Sequence, residues 1–194
     1  MTEARRIVAW TSLTLDGYTS GPEGAGGDTW LYEHAGQPAT AEYFEGIFRG
    51  ADTIVLGRTN YEGFYSVWPD ITRDAATDPR TRDLGRWLDA TEKVVVSRTL
   101  TDAPWENSRI TSDLAAEIER LRQAPGRDVL VINSASVIAE LLRLDLVDDL
   151  RLAIVPVLVG GGLRLFPDGV TARFRTASVT VLEHGAVGLH LRRP

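Results

Sequence analysis

The chain has 194 residues, 43% hydrophobic and 25% charged, a composition that excludes a disordered polymer and is long enough for a sizeable core. Lys and Arg number 21 against 27 Asp and Glu, a formal charge of −6, so the surface as a whole repels nucleic acid and anionic membrane while leaving room for a local basic pocket. There is no cysteine, which removes disulfides, thiolate nucleophiles and cysteine-ligated metals. Met1 to Arg6 runs straight into the apolar Ile7-Val8-Ala9-Trp10 without a signal-peptide pattern, and no window is long and apolar enough to span a bilayer. The expectation is one domain over 1–194, in the cytoplasm.

The first strand is expected at Ile7 to Leu15, rich in β-branched and aromatic residues and closed by the turn pair Asp16-Gly17. Gly21 to Gly36 holds five glycines and reads as a long loop, a lid or binding loop. Helical spacing returns at Ala39 to Arg49. A short buried strand, Thr53 to Leu56, runs into a helix at Arg58 to Phe64. The polar stretch Asp70 to Thr91 predicts one short helix, Arg82 to Leu88. Lys93 to Val96 is a second buried strand. Ser112 to Arg122 is an amphipathic helix with Leu114, Ile118 and Leu121 on one face. Asp128 to Ile132 is a third buried strand, followed by a helix through Leu142 that Asn133-Ser134 would cap. Asp149 to Val159 reads as a long strand. Phe174 to Glu183 and Gly188 to Arg192 form a closing hairpin around His184-Gly185. Strands alternating with helices, then two consecutive strands, predict an α/β domain whose mainly parallel sheet has an antiparallel edge.

Two helix starts follow buried strands, at Gly57-Arg58-Thr59 and at Asn133-Ser134-Ala135-Ser136. Ligands of α/β sheets gather at strand carboxyl ends, where helix N-termini offer free N–H groups to anions; two such starts on one sheet suit a pyrophosphate, although ordinary strand–helix turns have the same spacing. Arg58 in a first helical turn opposes the helix dipole, which a bound phosphate would explain. Gly160-Gly161-Gly162 is not a dinucleotide fingerprint, because Leu163-Arg164-Leu165-Phe166-Pro167 after it is no helix; it reads as a tight bend beside a ligand or an interface. His34, His184 and His190 lack metal-ligand spacing, so no metal site is expected. A Gly-x-Ser-x-Gly elbow is absent, which leaves a serine hydrolase unsupported.

Taken together the segments Ser12-Leu13-Thr14-Leu15-Asp16-Gly17-Tyr18, Gly57-Arg58-Thr59-Asn60-Tyr61-Glu62, Lys93 to Leu100, and Leu146 to Gly162 with Leu165-Phe166 and Trp68-Pro69 resemble the C-terminal reductase domain of the bifunctional riboflavin biosynthesis protein. That domain belongs to the dihydrofolate reductase-like superfamily, and the chain looks like one of its stand-alone bacterial members. The resemblance runs from Ile7 to Arg192 and implies a three-layer α/β/α fold, NADPH as cofactor and a homodimer. It implies that Gly57, Arg58 and Thr59 hold phosphate at one helix start and that Asn133, Ser134, Ala135, Ser136 and Val137 line the pyrophosphate at the other. Ser97, Arg98 and Thr99 would face the adenosine 2′-phosphate. Asp16 and Gly17 would lie beside the nicotinamide and Trp30 near the substrate, as the residues closest to the chemistry.

Asn133-Ser134 stands where the family usually has a glycine pair, and Asn tolerates the unusual backbone angles that position needs. Glu42 and Glu45, the acidic residues of the first long helix, match no pterin-binding carboxylate, which argues against folate. The leading expectation is therefore hydride transfer to an imine or carbonyl of a small heterocycle, by resemblance close to the reduction of 5-amino-6-(5-phosphoribosylamino)uracil. The alternative is an NADPH-binding regulatory protein with little turnover. For the dimer, Pro156 within the apolar run Leu150 to Leu158 predicts that this strand reaches a sheet edge, because proline cannot donate to a central ladder.

Overall fold

A computed structural model describes residues 4–24 and 28–194. Its centre is an eight-stranded sheet formed by β1 (Ile7–Thr14), β3 (Ala51–Gly57), β4 (Glu92–Val96), β5 (Ser108–Thr111), β6 (Asp128–Ile132), β7 (Asp149–Val155), β9 (Arg175–Val181) and β10 (Val187–Arg192), ordered β5-β4-β3-β6-β1-β7-β10-β9. Six neighbouring strands are parallel, and β10 and β9 complete the sheet antiparallel. Two short strands, β2 (Tyr18–Ser20) and β8 (Leu163–Arg164), pair separately. The helices are α1 (Thr29–Ala35), α2 (Pro38–Phe48), α3 (Arg58–Tyr65), α4 (Trp68–Arg73), α5 (Pro79–Ala90), α6 (Leu114–Gln123) and α7 (Ala135–Arg143).

The strand period of two explains the layers. All eight residues of β1 are buried; Ile7, Ala9 and Leu13 pack with Ile118 and Leu121 of α6 and Ile138 and Leu141 of α7. Val8 and Trp10 face the other way, into a cluster with Trp30 of α1, Phe44 and Phe48 of α2, Tyr61 of α3 and Leu88 of α5. Each fully buried Leu, Ile or Val contributes roughly 1.5–3 kcal/mol, so a strand covered on both faces must be apolar on both. This is the expected α/β/α sandwich with its C-terminal hairpin, and His184, at φ 55, makes the turn with Gly185.

Several expectations are corrected. Gly21 to Gly36 is not a structureless loop: α1 occupies Thr29–Ala35, with Trp30 and His34 buried one turn apart on its inner face. One fully buried apolar side chain, Trp30, in seven residues is too little to show as a periodicity. Gly26 and Gly27 of that stretch lie outside the described residues. Asp70 to Thr91 holds the end of α4 and the whole of α5, not one short helix; Asp78 caps α5 through the N–H groups of Arg80 and Thr81, with Pro79 at its first position. The strand β5 was not foreseen, because Ile110 is its only large apolar residue. The run from Asp149 is strand only to Val155, and β7 is not an edge: it lies between β1 and β10. Pro156 sits just past the strand end, where no ladder bond is lost. The edge on this side of the sheet is β9, all seven of whose residues are exposed.

Candidate functional site

In sheet order β6 lies between β3 and β1, although it follows β5 in the chain. The helix after β3, α3, packs on one face of the sheet, and the helix after β6, α7, packs on the other. Where neighbouring parallel strands send their helices to opposite faces, a crevice opens at their carboxyl ends. Here it is a cleft of about 1190 Å³, larger than the roughly 300–1,000 Å³ common for small-molecule sites. Its wall includes Gly57, Arg58, Thr59, Ser97, Arg98, Thr99, Ser134, Ala135, Ser136 and Val137. The structure thus brings these ten sequence-selected positions together from three strand ends. A smaller cavity of about 360 Å³ continues past the start of α7, bordered by Tyr18, Ser136, Arg143 and Arg164.

The floor of the cleft is held by side chains. Ser134 Oγ accepts from the Gly57 N–H (2.9 Å) and donates to the Ile132 carbonyl (2.8 Å). Used in this way, it does not cap α7: the Ala135 N–H is taken by the Asn133 carbonyl (3.0 Å), and among the described residues no side chain caps the rest of the first turn, which faces the cleft through Ser136 and Val137. At Gly57 an added Cβ would stand 3.3 Å from Val137 Cγ2, so glycine lets the two helix starts approach. Asn133 has φ 51, and its carbonyl accepts from Asn60 Nδ2 (3.3 Å). This is the left-handed geometry a glycine would adopt easily and Asn adopts better than most residues.

The charges divide the cleft. Arg58 is fixed by Glu62 (2.8 Å) and by the Thr99 hydroxyl (3.0 Å), which places its guanidinium between α3 and the end of β4. Ser97 Oγ accepts from the N–H groups of Thr99 and Leu100, shaping a turn that presents Arg98. Arg98 lines the cleft and makes no side-chain hydrogen bond or ion pair among the described residues.

Asp16 and Trp30 stand apart from this wall. The Asp16 carboxylate accepts from the Thr14 hydroxyl (2.6 Å), Gly160 N–H (2.8 Å) and Val159 N–H (3.2 Å), joining the turn after β1 to the loop after β7. The Thr14 bond, with those of Gly160 and Val159, outweighs desolvation and holds its pKa below the ordinary carboxylate value, so Asp16 is ionised at neutral pH. The triple glycine serves the same junction: at Gly162, φ 123, an added Cβ would strike the Ser20 carbonyl. Trp30 packs in the core cluster on the α1/α2 face, away from the cofactor-sized cleft. Glu45, considered for substrate binding, is bonded to Arg80 (2.7 Å).

That same face holds a feature the sequence did not disclose. Trp10 Nε1, Ser12 Oγ, Trp30 Nε1, His34 Nδ1 and Thr40 Oγ1 are buried without a hydrogen-bond partner among the described residues. Buried polar groups are nearly always paired, so five in one layer, beside the carboxyl end of β1, mark a second candidate surface. The signal in the sequence was the helical spacing Trp30-to-His34, hidden by the glycines before it.

Comparison with known proteins agrees with this fold. Uncharacterized protein YyaP of Bacillus subtilis is 28% identical over 164 residues, covering 84% of this chain and 81% of that protein. Uncharacterized protein YwjB of the same organism is 22% identical over 165 residues, 84% and 83% of the two chains. Among solved structures, a Shewanella protein provisionally assigned to riboflavin biosynthesis superposes with a TM-score of 0.75 at 21% identity, over 97% of this chain and 99% of that one. A pyrimidine reductase-like protein of Corynebacterium diphtheriae gives 0.63 at 15%, over 97% and 91%. The Thermotoga maritima diaminohydroxyphosphoribosylaminopyrimidine deaminase/5-amino-6-(5-phosphoribosylamino)uracil reductase gives 0.66 at 15%, and 99% of this chain covers 57% of that longer one. The model of the RibD C-terminal domain matches residues 5–187, nearly the whole chain, and the protein belongs to that reductase-like family.

Proposed function

We propose that the protein is an NADPH-dependent reductase that reduces a C=N or C=O bond of a small heterocycle. The observation that carries the reading is the cleft at the β3/β6 crevice, lined by the start of α7, which no described side chain caps, and by Arg98, which has no side-chain partner among the described residues. NADPH would supply the hydride, and the substrate heteroatom would gain a proton as its carbon accepts that hydride. In this reading Gly57, Arg58 and Thr59 hold phosphate from one side. Asn133 through Val137 hold the pyrophosphate from the other, and Arg98, with Ser97 and Thr99 shaping its turn, reads the 2′-phosphate. Asp16 and Gly17 set the backbone at the end of β1; Asp16, ionised and already accepting three hydrogen bonds, is a positioning residue and no proton donor. Trp30 contributes from the α1 face.

The test is calorimetric titration with NADPH and NADH. Micromolar NADPH binding with much weaker NADH binding is expected, and equal affinities would overturn the NADPH assignment. Steady NADPH oxidation with any carbonyl or imine acceptor would then separate an enzyme from a regulatory binding protein.

We further propose that the protein works in the cytoplasm as a homodimer. No helix among the described residues is long and apolar enough to cross a membrane. The support for the dimer is β9, an uncovered edge strand whose core, Thr176-Ala177-Ser178-Val179-Thr180-Val181, has no charge to deter pairing, with Val179 58% and Val181 81% exposed. Light scattering at micromolar concentration should give twice the chain mass, and Val179→Lys should give monomers; a monomeric wild type would refute the proposal.

A further inference from the structure

Residues 97–107 connect β4 to β5 without helix or strand. They begin with the turn that presents Arg98, and among the described residues no backbone-to-backbone hydrogen bond holds 98–106. A segment of this kind opens easily unless side chains fix it. Two hydrogen bonds tie it to α3. At the cleft, Arg58 donates to the Thr99 hydroxyl (3.0 Å); one turn further along the same helix, the buried Tyr61 hydroxyl accepts from the Trp105 N–H (2.9 Å). The span from Thr99 to Trp105 is thus held against one helix at both ends, with Leu100 and Ala103 packed on the core between them.

Trp105 is fixed in turn. Its Nε1–H donates to Asp89 at the end of α5 (2.7 Å), and its ring meets those of Tyr61 and Tyr65 with centroids 6.3 and 6.2 Å away. The fully buried Lys93 ammonium stands 4.7 Å from the Trp105 centroid, within cation–π range. Lys93 Nζ donates to the carbonyls of Leu88 (2.6 Å), Thr91 (2.7 Å) and Asp89 (3.2 Å), which uses all three of its donors and closes the C-terminus of α5. Burial lowers its pKa to about 8 against the pull of Asp89 and Glu106, so it keeps its charge at neutral pH. Beyond Trp105, Asn107 turns the chain at φ 58 and donates to the Asp89 carbonyl (2.9 Å).

Building on the NADPH reading, we infer that Tyr61 and Trp105 are positioning residues for cofactor choice: by clamping the Thr99-to-Trp105 span to α3 they hold Arg98 where it can reach a 2′-phosphate. Neither residue lines the cleft, so both act through the turn. A guanidinium on a loosely held segment would have to be ordered each time it bound phosphate, and a clamp made in advance removes that cost. NADH has no 2′-phosphate to be read, so its binding is indifferent to where Arg98 stands. The clamp therefore sets the ratio of the two affinities and not cofactor binding in general.

The experiment compares the whole protein with Tyr61→Phe, which removes one oxygen and keeps the ring stack. Hydrogen–deuterium exchange over 97–106 should become at least about tenfold faster in the variant, with β3 and β6 unchanged. Calorimetric titration should show NADPH binding weakened roughly fivefold to tenfold and NADH binding nearly unchanged. In an Arg98→Ala background the same substitution should add less than about a twofold loss, because the residue through which it acts is gone. Trp105→Phe, which removes the donor to Asp89, should move both readouts in the same direction. Tyr65→Phe is the control: its hydroxyl has no partner among the described residues, and its loss should change neither readout. An equal loss for NADPH and NADH, a full further loss on top of Arg98→Ala, or unchanged exchange over 97–106 would each overturn the inference, leaving Tyr61 a residue of the fold alone. Equal affinities of the wild type for the two cofactors would instead sink the NADPH reading, and faster exchange in Tyr61→Phe would still uphold the clamp.

Discussion

At the N-terminal ends of the parallel strands every prominent charge is matched. Arg5 pairs with Asp52, and Arg6 reaches Asp128 and Asp149. Arg122 pairs with Asp148, whose carboxylate also accepts from the Ile7 N–H (2.7 Å). Asp149, 1% exposed, accepts from His190 and Arg192 as well. At the C-terminal ends of β3, β4 and β6 the matching is incomplete: Arg58 is paired with Glu62, but among the described residues Arg98 has no partner and no side chain caps α7, and Asn133 is in a left-handed conformation. One end of the sheet fixes the strands in register, and the other leaves polar groups free for a ligand. Substitutions at the first end should therefore change stability without changing cofactor binding, and substitutions at the second should do the opposite.

The largest effect is expected for Asp149→Asn. It strips the buried charge that offsets Arg192 and Arg6 and that accepts from His190; breaking a fully buried ion pair costs about 3–5 kcal/mol, an upper limit here because the two guanidiniums are half-exposed. Urea unfolding should show that loss, with NADPH affinity unchanged. The pH dependence adds a sign. Burial alone would raise the Asp149 pKa, but the bonds from His190 and Arg192 and the nearby guanidiniums hold it below the carboxylate norm. Its contribution is thus full above about pH 4, the unfolded value, and disappears as pH falls through the lower folded value. Wild type should lose more stability than the variant between pH 5 and pH 3; parallel losses would refute the assignment.

Arg98→Ala comes next, at the other end. Losing one charge-assisted phosphate contact costs on the order of 1.5–3 kcal/mol, a roughly tenfold to hundredfold weakening of NADPH binding. NADH binding and Tm should stay as they are. An equal loss for the two cofactors would show that Arg98 does not read the 2′-phosphate.

Ser134→Ala probes the seam between the two functions, since that hydroxyl joins β6 to the Gly57 N–H. A stability loss of about 1–2 kcal/mol is expected, with a fewfold drop in cofactor affinity. Loss of affinity at unchanged stability would mean that Ser134 contacts the ligand directly. The smallest effect belongs to Asn133→Gly. Glycine relieves a left-handed conformation worth about 1 kcal/mol but adds chain entropy to the unfolded state. Tm should move by less than about 2 °C and NADPH should bind as well or better; a tenfold loss would reveal a ligand contact made by the Asn133 side chain.

Much of the fold was legible because its strands are short, doubly buried and β-branched, as at Ile54-Val55-Leu56 and Val94-Val95-Val96, and because α6 and α7 repeat apolar residues at helical spacing. The cleft residues were legible for a related reason, since each follows a buried strand directly and strand ends are where a parallel sheet gathers its loops. What escaped was short or mixed in composition: α1 behind its glycines, α4, and β5 with one large apolar residue. Proline also misled, because Pro156 forbids a ladder bond at its own position but says nothing about the strand that ends before it.

The sequence by itself determined the layers, through the periods of two and 3.6 that decide which side chains can be buried together, and it determined the family through motifs in chain order. Strand order was decided only in the tertiary structure. The insertion of β6 between β1 and β3 sends α3 and α7 to opposite faces and opens the cleft, and no local pattern encodes that choice. The unpartnered layer was likewise decided there. Whether a tryptophan N–H or a threonine hydroxyl finds a partner depends on what a distant segment brings against it, and α1, β1 and α2 meet only when the chain is folded.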